Sequence, residues 1–452
     1  MSTLDSSIVN IALPVISRQL HVSFAAATWT ITIYLLVLVS LLLFFGKLGD
    51  TFGKVKVFKF GMIIFTLGSL VASFNLGFSF LLIARSIQAI GGAMTMANSF
   101  GITAQIFKPE ERSRAMAIIA MFVSLGLIAG PAIGGLILQM SSWNMIFMMN
   151  IPLGIIGYLI GRKAFPKMEQ SNKFNLDILG NFIFLALMMT FFLGLNNSNL
   201  ILLGLSVIFL IFFIKYARNA KNPLLPLTIF SNKKFSISVF IAIVMFTAGT
   251  FNTILLPYYF QDFRHISSGL TGLLLLAYPL GVLIFSPIAG NLADKFDKEF
   301  ITFLGISGAL IASIGFLLIH SKTSVFYVFA CLLLYGAAIG FFKSPNNTLI
   351  MSSVEKSQTG IAGSINSLSN YLGVMIGTAF ATLTLFASLS NLTKMHITNY
   401  TSNLHPEFLN ALHFSFLIAA FIVGIAWILS LSRILSSKNT LQNLHFPKNM
   451  IY

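Results

Sequence analysis

The chain has 452 residues, of which 56% are hydrophobic and only 9% charged, where a soluble domain carries roughly 25% charged residues; a soluble globular protein is excluded. The net charge of +16 does not mark a nucleic-acid binder, because Lys and Arg sit mostly in short connections between apolar blocks rather than on one face or in a tail. The lone Cys331 rules out an internal disulfide.

Apolar blocks near twenty residues match the roughly 30 Å hydrocarbon core of a bilayer. Taken in chain order, they predict fourteen helical spans: 1–18, 25–45, 55–75, 79–104, 115–139, 144–162, 176–196, 199–217, 235–258, 269–290, 300–319, 324–343, 359–388 and 409–432. Counting basic residues orients them. Arg18, Arg264, Lys322 and Lys394 fall on one side and Arg85 and Lys343 inside spans, while all other Lys and Arg fall on the opposite, cytoplasmic side. Both termini are therefore expected in the cytoplasm.

Span 1 reads Leu4-Asp5-Ser-Ser-Ile-Val-Asn10-Ile-Ala-Leu-Pro14. Asp5 is the best candidate for a buried titratable carboxylate, since burial disfavours the charged form and suits such a group to taking up and releasing protons. Because it lies so near the start, span 1 is expected to be foreshortened, without its cytoplasmic half. If the helix begins at Met1, Asp5 would instead sit solvated at the interface. Asn10 follows on the same segment as a candidate for lining a pathway.

Span 2 ends in Gly46-Lys-Leu-Gly-Asp50-Thr-Phe-Gly53-Lys54-Val-Lys56. Gly46 permits close backbone approach, Gly53 suits a tight turn, and Asp50 is placed to cap a neighbouring helix or pair with a cation. Together with Lys54 and Lys56 this forms a candidate conformational latch; the plainer reading is a solvated turn with stop-transfer charges. Span 4 opens on Leu81-Leu-Ile-Ala-Arg85-Ser-Ile-Gln88-Ala89-Ile-Gly91. An Arg inside a membrane is costly and normally faces a partner or wet cavity, so Arg85 is assigned to proton coupling, with snorkelling to the interface as the alternative.

Span 5 carries Gly126, Gly130, Pro131, Gly134 and Gly135. Glycines four apart allow helices to pack backbone to backbone, and the proline removes a helix hydrogen bond and bends the span. In span 12, Lys343, Asn346 and Asn347 flank Pro345, and with Asn98 of span 4 they are candidates for lining the pathway.

An internal repeat underlies these motifs. Gly46–Asp50 recurs as Gly290–Asp294 at an offset of 244, Ala89-Ile-Gly91 with Asn98 as Ala338-Ile-Gly340 with Asn347 at 249, and Leu125-Gly126 with Gly130 as Leu372-Gly373 with Gly377 at 247. The recurrence adds Asp294 to the latch. Spans 2, 4 and 5 thus correspond to spans 10, 12 and 13, as expected for two six-helix halves separated by two extra helices. The boundaries are 1–165 for the N-terminal bundle, 166–232 for two linker transmembrane helices, 233–433 for the C-terminal bundle and 434–452 for a cytoplasmic tail.

With these segments in hand, the chain resembles the major facilitator superfamily and, more narrowly, its fourteen-span drug:proton antiporter family of bacteria. Leu4–Pro14 resembles the first-span signature, Gly46–Lys56 the loop 2–3 motif and Leu81–Ala93 the Arg-containing span-4 motif. Gly126–Gly135 is similar to the antiporter motif at every fixed position, and Ser142–Pro152 to the span 5–6 connection. Two positions depart: Ala89 stands where the span-4 motif usually has Gly, and Asn144 where the connection usually has Arg.

The resemblance implies an all-α integral membrane protein of the major facilitator fold. It would sit in the plasma membrane as a monomer and export small hydrophobic or amphipathic, including cationic, compounds in exchange for protons by alternating access. No cofactor or metal is implied beyond the proton gradient, and the partners are substrate, protons and lipid, not nucleic acid. A proton-coupled exporter of one dedicated metabolite (a lipid, peptide or amino acid) is the alternative. Enzyme chemistry is not expected, because no metal-ligand spacing, phosphate-cradling loop or nucleophile–base motif is present.

Overall fold

The computed structural model describes residues 1–106, 109–165, 177–196, 199–221, 223–354, 359–394 and 405–436. Among them the regular structure is helical, the form in which an apolar chain satisfies every backbone group within one segment. The first group comprises α1 (Ser2–Gln19), α2 (Phe24–Ala27), α3 (Trp29–Phe52), α4 (Lys54–Ser73), α5 (Phe78–Ile106), α6 (Pro109–Met140), α7 (Met145–Met148) and α8 (Asn150–Ala164). Then come α9 (Ile178–Asn196) and α10 (Leu200–Asn219). The last group holds α11 (Lys233–Tyr258), continued by a π-helical turn, then α12 (Ser268–Leu275), α13 (Ala277–Lys295), α14 (Lys298–Leu317), α15 (Val325–Ser352), α16 (Thr359–Thr393) and α17 (His405–Ser436).

By length and apolarity, twelve helices or end-to-end helix pairs among the described residues can cross a membrane. The count is two short of the fourteen spans expected from the sequence, and the two helices outside it are α1 and α6. Polar residues (Ser2, Asp5, Ser6, Ser7, Asn10, Ser17 and Arg18) dilute α1, and in α6 only Ala129–Met140 stands as a shorter apolar helix. Large apolar side chains such as Phe60, Ile83, Leu159, Ile311 and Phe421 point outward, as they do on a surface solvated by lipid. The molecule is a multi-pass membrane protein.

Small residues set the closest packing. A Cβ on Gly91 of α5 would lie 2.3 Å from the Phe65 nitrogen of α4, and one on Gly336 of α15 would lie 2.1 Å from the Tyr278 carbonyl of α13. Helix pairs within each group therefore meet backbone against backbone. α9 and α10 pack on each other, and α9 also touches α3 from the first group and α16 from the last. Asp177 fastens this pair: its Oδ1 accepts from Gly180 N at 2.8 Å and Tyr216 Oη at 2.7 Å, and its Oδ2 from Leu224 N at 2.6 Å. The predicted linker residues 166–176 and nearly all of the predicted tail, 437–452, lie outside the described residues.

Candidate functional site

Asp5 lies one turn into α1, yet it is buried, with 2% of its surface exposed. The interfacial, solvated placement considered from the sequence does not describe it. Its Oδ2 meets Arg85 Nη1 at 2.6 Å, with both side chains 1% exposed. Its Oδ1 accepts from Asn150 Nδ2 at 2.7 Å and Gln88 Nε2 at 3.1 Å. Arg85 further donates from Nη1 to Gln88 Oε1 at 2.6 Å and from Nε to the Thr30 carbonyl at 3.0 Å, and Gln88 donates to Ser69 Oγ at 2.6 Å. The guanidinium also faces the rings of Tyr34 at 4.4 Å and Phe147 at 5.6 Å, a cation–π arrangement.

α1, α3, α4, α5, α7 and α8 all contribute to this network. A buried ion pair holds only while both charges and their remaining hydrogen bonds are satisfied, because each ion loses its hydration. The arrangement ties Asp5, Arg85 and Gln88 into one hydrogen-bonded unit, so that a change at one is felt by the others. Asp5 and Arg85, 80 residues apart, were named from the sequence and are brought into direct contact. Gln88, Asn150, Ser69 and Tyr34 were given no role there. Gln88 was findable, since it follows Arg85 by one helical turn and shares its face; Asn150 falls in the Ser142–Pro152 segment, but its contact with Asp5 comes from tertiary packing alone.

The helix that carries Asp5 leans on the glycine face of α6. Ideal Cβ atoms on Gly126, Gly130 and Gly134 would lie 3.4 Å from Leu4 N, 1.8 Å from Ser7 Oγ and 2.9 Å from Ile8 Cγ2. Ser7 Oγ also donates to the Gly126 carbonyl at 3.2 Å. The neighbouring face of α6 meets α12 of the last helix group. A Cβ on Gly135 would lie 2.7 Å from the Ser268 carbonyl, and one on Gly272 would lie 2.2 Å from the Pro131 carbonyl. α6 is thus wedged between the acid-bearing helix and the other half of the molecule, with no side chain to cushion either contact.

Further links join the two helix groups at the end where α1 stops and α11 gives way to its π turn. Arg18 Nη1 meets Asp262 Oδ1 at 2.7 Å, Gln261 Nε2 donates to the Ile11 carbonyl at 3.2 Å, and the Phe24 and Tyr258 rings meet edge-on at 3.8 Å. Deeper in, Tyr371 Oη of α16 donates to Met96 Sδ of α5 at 2.8 Å.

At the other end of α3, Gly53 takes a left-handed φ of +98° and turns the chain straight into α4, a conformation that favours glycine. A Cβ on Gly46 would meet Ala97 only at an ordinary 4.0 Å, so no close approach requires glycine there, and the Lys54 stem crosses over Gly101. Lys56 is exposed. Lys47 Nζ donates to the Pro223 carbonyl at 2.7 Å, tying this corner to the segment before α11. The side chains of Asp50 and Asp294 lie outside the described residues.

Asn98 is 1% exposed, and its Nδ2 donates to the Phe45 and Met94 carbonyls at 3.1 and 2.9 Å, bracing α5 against α3. Asn346, also 1% exposed, donates to the Ser238 carbonyl at 3.1 Å. Asn347 Oδ1 accepts from Asn366 Nδ2 at 3.0 Å, Asn10 is half-buried on α1, and Lys343 Nζ stands 5.7 Å from the centre of the Phe246 ring. No group of three or more His, Cys, Asp or Glu that could hold a metal occurs among the described residues.

Comparison with known proteins agrees in kind. The chain is 34% identical over 385 residues to the riboflavin transporter RibZ of Clostridioides difficile, covering 84% of each protein. It is 27% identical to the multidrug transporter protein MdtP of Bacillus subtilis, covering 90% of this chain and 77% of that one. Among solved structures, a transporter of the POT family in complex with 5-aminolevulinic acid shares the fold with a TM-score of 0.68 at 15% identity, covering 95% of this chain and 94% of the other. These relatives are transporters and not enzymes, and they need no cofactor. The sequence profile of the Major Facilitator Superfamily matches residues 1–378, and with the helical architecture and the transporter relatives this establishes that the chain is a member of that superfamily.

Proposed function

We propose that this transporter exports small hydrophobic or amphipathic compounds in exchange for protons, by alternating access between two bundles formed by residues 1–165 and 233–433. The observation that carries the reading is the burial of Asp5 against Arg85 on a helix that packs along the glycine face of α6, which in turn meets the second bundle at α12. Protonation of Asp5 removes the negative charge that holds Arg85, Gln88 and Asn150 in place. Any resulting shift of α1 is passed to α6, and through Gly135 and Pro131 to α12, because tightly packed surfaces transmit displacement rather than absorb it.

In this reading α1 and α6 cross the membrane as well, bringing the spans to fourteen and placing the chain among the drug:proton antiporters. Their mutual packing supports it, as does the use of polar residues at an internal helix interface rather than toward lipid. Both termini lie in the cytoplasm of a plasma-membrane monomer, as the basic connections suggest. The multidrug relative supports a broad substrate range and the riboflavin transporter a dedicated one; polar groups gathered around Asp5 serve either.

The test is flux in proteoliposomes under an imposed pH gradient. Wild type is expected to drive dye uphill, and Asp5→Asn is expected to abolish gradient-driven flux, measured on protein that remains monodisperse because stranding Arg85 also weakens the fold. Full pumping by Asp5→Asn would remove the acid from the mechanism.

A further inference from the structure

Lys343 has no assigned role in proton coupling, yet its position is unusual. Around α15, Gly336 and Gly340 face α13 at the Tyr278 carbonyl and Ser286 nitrogen, Phe342 faces α14 at Gly305, and Asn346 faces α11 at Ser238. At 100° per residue, Lys343 falls on the strip left between α11 and α13, and Asn347, one turn further on, reaches Asn366 of α16. Both helices that flank the strip border the first group, α11 at α1 and α13 at α6, as does α12 at α6, so the strip faces the other half of the molecule. Both residues are half-buried.

The charges nearby are unbalanced. Asp5 is consumed by Arg85, Gln88 and Asn150. The other carboxylate side chains among the described residues (Asp177, Asp262, Asp297, Glu299 and Glu407) all lie at helix ends. Lys343 forms no ion pair among the described residues, and its ammonium stands over the Phe246 ring, a contact that orients a cation without neutralising it. Among the described residues Lys343 is therefore a positive charge with no carboxylate partner, beside an aromatic face and the amide pair Asn347–Asn366.

We infer that the transported compounds carry an acidic group, a carboxylate, phosphate or acidic imide, next to a planar apolar body, and that Lys343 is the residue that receives it. The inference rests on the transporter reading above for its purpose, but not on proton coupling. A cationic drug would meet like charge in a medium of low dielectric, where repulsion is strong.

The test uses the purified full chain and two xanthene dyes of similar shape and opposite charge, fluorescein and rhodamine 6G. Fluorescein is expected to bind, with affinity falling about tenfold or more in Lys343→Gln, the usual scale for losing a charged hydrogen-bond donor, and returning in Lys343→Arg. Rhodamine 6G binding should not weaken in Lys343→Gln. Binding of rhodamine 6G alone, binding of neither dye, or fluorescein binding that ignores both substitutions in monodisperse protein would overturn the inference. Flux in liposomes separates the two claims. Lys343-dependent binding without gradient-driven movement would sink proton-coupled export and leave the acidic-substrate assignment standing, whereas gradient-driven rhodamine 6G transport indifferent to Lys343 would do the reverse.

Discussion

The two halves of the molecule share a repeat but spend their buried polarity differently. In the first, one acid and one base saturate each other's charge: Arg85 reaches Asp5, Gln88 and the Thr30 carbonyl, and Gln88 goes on to Ser69, with Asn150 Oδ1 and Tyr34 Oη of this cluster left unpartnered among the described residues. In the second, Lys343 faces a ring, and the carbonyl oxygens of Asn346, Asn366 and Asn370 have no partner. A saturated network suits a switch, because adding one proton leaves several groups unsatisfied at once. Open polar groups suit recognition, since they lose nothing until a ligand arrives. The contrast points to a division of labour, with coupling in the first half and substrate contact in the second.

The hardest test of this contrast is to break the saturated network. Arg85→Ala strands a buried carboxylate and is expected to destabilise the protein by about 3–5 kcal/mol, seen as a large drop in melting temperature in detergent. Adding Asp5→Asn should recover much of that loss, because the stranded charge is gone. A melting temperature unmoved by Arg85→Ala would mean that the pair carries no strain to release.

A smaller effect should come from the link between that network and the rest of the molecule. A methyl at Gly130 would lie 1.8 Å from Ser7 Oγ and 2.7 Å from Ser7 Cβ, so Gly130→Ala must push α1 off α6. Overpacking of this kind typically costs about 1–3 kcal/mol. Transport is expected to fall more than folding does, and Ser7→Gly in the same chain should restore it by removing both obstructing atoms. Failure of the second substitution to rescue would show that α6 conveys nothing from α1.

The smallest effect is expected at the rim. Arg18 and Asp262 meet at 2.7 Å, but the Arg18 side chain is 55% exposed, so solvent screens the pair and Arg18→Ala should cost below ~1 kcal/mol. Its flux should stay near wild type, and weaken further in sensitivity as salt rises. A loss comparable with that of Arg85→Ala would place a principal switch at this end and not at Asp5.

Sequence alone carried the class, because a bilayer allows few solutions: long apolar helices with charges in the connections are legible from composition and spacing. It also singled out a membrane acid and a membrane arginine, since both are too costly to keep without purpose, while their contact came only from the fold. The number of spans was less legible. Apolar blocks gave fourteen, whereas the described helices give twelve, the difference lying in α1 with its serines and α6 with its glycines. Tertiary structure decided the rest. Asn150 joins Asp5 across 145 residues, Gly135 finds Gly272, and Asn98 braces α3 where a pathway-lining role had been expected. Such contacts depend on which faces of distant helices are turned together, and helical periodicity records only that a face exists, not what it meets.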